Sequence, residues 1–157
     1  MADIEEFARK LAEQVREKLS VISQAEKLQL HRRRILDANL QHFWDLFIAE
    51  LTKGVRAFDS AMAGTLMDQE TQIDADTRHE ITLTRQYPRR HYLTVALDHE
   101  RASIALIRSN INNHGADTRE FGMSVVQDDQ IEGVEQNVSV GGPTELAQVA
   151  LEYFKVR

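Results

Sequence analysis

One apolar stripe of helical period runs through most of the first 66 residues. Ile4, Phe7, Leu11, Val15, Leu19 and Ile22, then Leu36, Leu40, Phe43, Phe47, Leu51, Val55, Phe58 and Met62, share one side of a helix that turns about 100° per residue. The stripe breaks once, where that side carries Glu26, Gln29 and Arg33. From Asp3 to Lys53 there is neither Gly nor Pro, and Ala, Glu, Gln, Lys, Arg and Leu fill the other positions, so local preference agrees with the pattern. An eleven-residue spacing, as in Leu36, Phe47 and Phe58, completes three turns and keeps the seam nearly straight.

Two geometries satisfy such an arm. A single or kinked helix of roughly 60 residues would be about 90 Å long and would need a second copy to cover its face. A helical hairpin, turning near Ser20–Ser23 or His31–Arg34, would bury the two halves of the stripe on each other. The candidate loops hold no Gly, Pro or Asn, which favours the long helix. On that reading Leu36, Leu40, Phe43, Phe47, Leu51, Val55 and Phe58 are the expected interface of a homo-oligomer, with a dimer as the simplest case.

Beyond Gly64 the texture changes. Asp68–Arg78 is polar and reads as a connection. Ile81 and Leu83, then Leu93, Val95 and Leu97, alternate with smaller or polar residues at the two-residue period of half-buried strands. Turns are expected at Tyr87-Pro88-Arg89-Arg90, at Asp98–Arg101, at Asn112-Asn113-His114-Gly115 and at Asp128-Asp129-Gln130. Further strands are therefore expected over 102–109, 118–127 and 131–140. Gly141-Gly142-Pro143-Thr144-Glu145 opens a last helix whose apolar side holds Leu146, Val149, Ala150, Tyr153 and Phe154. The expected fold class is α+β: a helical arm over 1–66, a connection over 67–78, and over 79–157 an antiparallel meander of about five strands with the C-terminal helix packed on it.

The charge is uneven. The arm holds as many acids as bases, so the formal net charge of -6 resides in residues 67–157. An acidic globular part disfavours an extended contact with nucleic acid or an anionic membrane. No apolar run reaches the roughly 18 residues of a membrane span, and the acidic, amphipathic start does not resemble a secretory signal. The absence of Cys removes disulfides, thiolate metal sites and cysteine nucleophiles together, and it agrees with a cytoplasmic setting.

Few residues suggest chemistry. His31-Arg32-Arg33-Arg34 spreads around the helix circumference and reads as a solvated or salt-bridged band. His42 and Asp45 lie one turn apart but lack a third ligand, beside Phe43 and Trp44, which read as core. His91 and His99, with Asp98 and Glu100, gather around one hairpin, and His79 and Glu80 open the strand before it. Arg85, Arg89 and Arg90 share the same rim. No phosphate loop, nucleophile motif, catalytic set, metal site or cofactor site is present, and none is expected. The leading expectation is a non-enzymatic protein that self-associates through its N-terminal helices and offers an acidic domain to a protein partner. The alternative is a small-molecule binder or enzyme, with a pocket between the sheet and the C-terminal helix and with Arg85, His91, Tyr92 and His99 at its mouth.

Overall fold

The computed structural model describes residues 3–87, 89–109, 116–126 and 129–155, without the side chain of Ile22. Pro88, the expected turn over Asn112–Gly115 and Asp128 lie outside the described residues. Helix α1 spans Ile4–Ala61 as one element, so the hairpin turn is not made. The strands are β1 (Gln72–Thr77), β2 (Glu80–Arg85), β3 (His91–Asp98), β4 (Ser103–Ser109), β5 (Ala116–Val125), β6 (Ile131–Glu135) and β7 (Val138–Gly141), and helix α2 is Pro143–Phe154. All seven strands form one sheet in chain order, each antiparallel to its neighbours.

The chain divides into two units, Met1–Ile35 and Leu36–Arg157. In the first, the Asp3 carboxylate accepts the Glu5 N–H at 3.1 Å and caps the helix start, where Glu5 and Glu6 suit the positive end of the helix dipole. The stripe here is wet: Ile4, Phe7, Leu11, Val15 and Leu19 are 48–74% exposed.

In the second unit the same stripe is covered. Leu40, Phe43, Trp44, Phe47, Leu51 and Val55 are buried in one core with Ile81, Leu83, Leu93, Val95, Leu97, Ile104, Leu106, Phe121 and Met123 of the sheet, and with Leu146, Ala150, Tyr153 and Phe154 of α2. Leu36 and Phe58 are half-buried. The expected oligomer seam over Leu36–Phe58 is thus largely the core of a single chain. The reason is width: α2, with 12 residues, reaches about 18 Å, whereas seven strands extend about 30 Å across the sheet. A second helix must complete the cover, and the apolar face of α1 supplies it. Each fully buried Leu, Val, Ile or Phe contributes roughly 1.5–3 kcal/mol of transfer free energy.

Among the described residues the strand count is seven where about five are expected. β1 falls within the presumed connection because Gln72-Ile73-Asp74-Ala75-Asp76-Thr77 is an edge strand with no apolar alternation, only Ile73 packing against the core. The stretch expected as one strand over 131–140 is a hairpin. Gln136 and Asn137 both take left-handed backbone, φ 50° and 65°, as the tight two-residue turn between β6 and β7 requires, although neither is Gly. The Asp98 turn is as expected, its carboxylate accepting the N–H groups of Glu100 and Arg101 at 3.0 and 3.1 Å. Gly141, at φ 116°, meets the strand-to-helix corner: a Cβ there would lie 2.9 Å from Glu145, whose carboxylate accepts the Gly142 N–H.

Arg119 on β5 grips Glu135 on β6 with two hydrogen bonds of 2.9 and 2.6 Å. Hydrogen bonding to Arg119 is the main reason the Glu135 pKa falls below the ordinary carboxylate value, against a smaller opposing effect of burial. A carboxylate depressed in this way stabilises the fold above its unfolded pKa, and the contribution disappears as pH falls through the folded value. Because the pair is partly exposed, Glu135→Gln should cost only about 0.5–1 kcal/mol at pH 7. Urea titrations should show that gap closing as the pH is taken below the ordinary carboxylate range.

Candidate functional site

Along β2 the inward positions are Ile81, Leu83 and Arg85, and along β3 they are His91, Leu93, Val95 and Leu97. The alternation that builds the core therefore carries a guanidinium and an imidazole inside with it. Arg85 and His91 are directly opposed in the β2–β3 register and are 2% and 6% exposed. Buried charge needs a partner, and α1 provides one: Asp59, one turn beyond Val55, forms an ion pair with Arg85 Nη1. Arg85 Nη1 also donates to Thr71 Oγ1 at 2.9 Å and Nη2 to the Met67 carbonyl at 2.7 Å, and the guanidinium lies 5.1 Å from the Phe58 ring centre. Thr71 in turn gives its N–H and hydroxyl to Asp59 at 2.8 and 2.7 Å, while Arg56 donates to the Thr71 carbonyl at 2.9 Å.

Two buried polar atoms stand outside this network. Arg85 Nε and His91 Nε2 have no hydrogen-bond partner among the described residues. Both side chains line a cavity of about 280 Å³ between α1, α2 and the sheet, whose other walls include Val55, Phe58, Leu151 and Phe154, with Gln148, Glu152 and Lys155 on the α2 side. The His91 ring is 5.2 Å from that of Phe154. A second recess of about 230 Å³ lies between α1 and α2, where Gly54 allows close approach: a Cβ there would be 3.3 Å from Leu151.

Of the four residues expected at a pocket mouth, Arg85 and His91 are brought together in its wall. Tyr92 is exposed on the opposite face of β3 and does not join them. His99 lies past the far end of β3, about 25 Å along the strand from His91. There it forms a separate cluster, its Nε2 2.9 Å from His79 Nε2, which is 3.0 Å from Gln41 Oε1. Gln41 gives its amide N–H to Asp45 at 3.0 Å, so its oxygen faces His79 and His79 Nε2 must carry the proton. His42 and Asp45 are exposed while Phe43 and Trp44 are buried, and His31–Arg34 are exposed on α1. Among the described residues, no group of three or more His, Asp or Glu is placed to hold a metal.

Sequence reasoning missed Asp59, Thr71, Arg108, Arg119 and Glu135. Arg108 and Arg119 carried the same signal as Arg85, each continuing an inward alternation: Ile104, Leu106, Arg108 on β4 and Arg119, Phe121, Met123 on β5. Arg108 stacks on Tyr153 of α2, 4.0 Å from its ring centre, and Arg119 lies 5.5 Å from the same ring. Comparison with family models, with curated proteins and with solved structures returns no match to this chain.

Desolvation, followed by the nearby charges of His99 and Arg78, holds the His79 pKa below the ordinary histidine value, with Asp45 opposing. His99→Gln removes one of the lowering charges. The His79 titration midpoint, followed by NMR, should therefore rise in that variant, and an unchanged midpoint would show that the two rings do not interact in solution.

Proposed function

We propose that the unit Leu36–Arg157 is a small-molecule-binding domain. The observation that carries this reading is a largely apolar cavity lined by Arg85 and His91, each of which holds a buried polar atom, Nε and Nε2, with no partner among the described residues. Leaving a polar group buried and unsatisfied costs roughly 1–3 kcal/mol, so such atoms beside a cavity favour a ligand that completes them. A bound ligand stabilises the folded state by mass action, about 2.7 kcal/mol at a hundred times its Kd. A thermal-shift screen with small amphiphilic compounds should find molecules that raise Tm by several degrees, and Leu151→Trp, which fills the cavity from α2, should abolish those shifts while the variant stays folded. A screen in which nothing raises the wild-type Tm would sink the reading.

A second reading rests on the first unit. Ile4, Phe7, Leu11, Val15 and Leu19 expose a continuous apolar face, and a lone helix with such a face is marginal in water. The occupant we favour is a second copy of the chain. Over residues 4–19 the helix carries four acids, Glu5, Glu6, Glu13 and Glu17, and four bases, Arg9, Lys10, Arg16 and Lys18, so it meets its own copy without net charge. Self-association thus moves from the Leu36–Phe58 seam to residues 4–19. Light scattering at micromolar concentration should give an oligomer, and Leu11→Asp should dissociate it without changing the Tm of the second unit. A monomeric wild-type protein would end this reading and leave the first intact.

A further inference from the structure

The two unpartnered atoms differ in kind. His91 Nδ1 lies 2.8 Å from the Arg89 carbonyl, which only accepts, so Nδ1 carries the proton and Nε2 of the neutral ring presents a lone pair. Arg85 Nε is a donor and nothing else. The residues that line the cavity therefore include one with an unpartnered donor and one with an unpartnered acceptor, paired across two strands, where opposed Cβ atoms are about 5 Å apart. Asp59 balances the Arg85 charge and Glu152 that of Lys155, so among the described residues the lining holds no uncompensated cation to attract an anion.

From this we infer that the cavity takes a small apolar molecule bearing a hydroxyl group, a phenol or short-chain alcohol, an inference that rests on the ligand-binding reading above. The hydroxyl oxygen accepts from Arg85 Nε–H, its hydrogen is donated to His91 Nε2, and the body lies against Phe58, Leu151 and Phe154. An ether satisfies the donor but leaves Nε2 buried without a partner. A hydrocarbon satisfies neither, and a carboxylate turns a lone pair toward a lone pair. The available space, about 280 Å³, favours a body no larger than a substituted ring.

Calorimetric titration of the full chain with 4-methylphenol, 4-methylanisole, toluene, 4-methylbenzoate and 4-methylbenzamide tests the inference at nearly constant shape. Sites built to hydrogen-bond a hydroxyl reject analogues that lack it, and 4-methylphenol should bind at least about tenfold more tightly than the others. His91→Phe should reduce its advantage over toluene to within about twofold while toluene still binds. Toluene or the ether binding as well as the phenol, or the benzoate or benzamide binding better, would overturn the hydroxyl assignment and leave the pocket standing. The assignment is overturned in the same way if all five fail while other compounds still give Tm shifts that Leu151→Trp abolishes. Failure of all five in the absence of any such shift would overturn both readings.

Discussion

The sheet's inner face is wider than its C-terminal helix, and the rest of the structure is organised by that mismatch. Leu83, Leu93, Val95, Ile104, Leu106 and Phe121 are excluded from water, and the 12 residues of α2 cannot achieve this for seven strands. The half of α1 that follows Leu36 supplies the remaining surface, with Phe47, Leu51 and Val55 buried to 1% exposure or less. Excess apolar helix therefore does not by itself imply a second chain. Its complement lies downstream, in a sheet whose breadth is greater than its apolar alternation suggests.

Laying two helices side by side on one sheet leaves a problem where they reach its edge. At that end the inward positions of β2, β3, β4 and β5 turn polar, with Arg85, His91, Arg108 and Arg119. Each arginine is answered by an acid, Asp59, Asp117 and Glu135 respectively, and by an aromatic face of Phe58 or Tyr153. Desolvation of a guanidinium is tolerable only with such answers, and planar stacking with in-plane hydrogen bonds lets one group satisfy both demands. His91 lacks an equivalent partner for its second nitrogen, and Arg85 lacks one for Nε, among the described residues. The cavity lies where the polar row is least complete.

How much was legible depended on how many residues carried each signal. Helix α1 has many redundant positions, and β3 alternates over its whole length, so both could be read directly. The polar edge strand β1 has one inward apolar residue, and the β6–β7 turn uses Gln136-Asn137 instead of a glycine pair, so neither offered a period or a breaker. The arginine row was written in the alternation itself, but an arginine at a strand's end is normally a surface residue, and it is the positions of Asp59, Asp117 and Glu135, with the rings of Phe58 and Tyr153, that make these inward ones sustainable. Arg85 and His91 could be named from the sequence. That they oppose each other follows from register, and their separation from Tyr92 and His99 follows from pleat and strand length.

The break in the stripe at Glu26, Gln29 and Arg33 coincides with the boundary of the two units at Ile35 and Leu36. On the C-terminal side the apolar face is satisfied within its own unit, and on the N-terminal side Ile4 to Leu19 are not. A continuous stripe would leave its two portions interchangeable, able to slide by about eleven residues with little loss of apolar match. The polar residues make that slip costly, since it would carry Gln29 into the place of Leu40 and Arg33 into that of Trp44, both buried in the core. The interruption thus separates two stretches of different surroundings: Leu40 to Val55 are packed in the core with the sheet, and Ile4 to Leu19 are exposed.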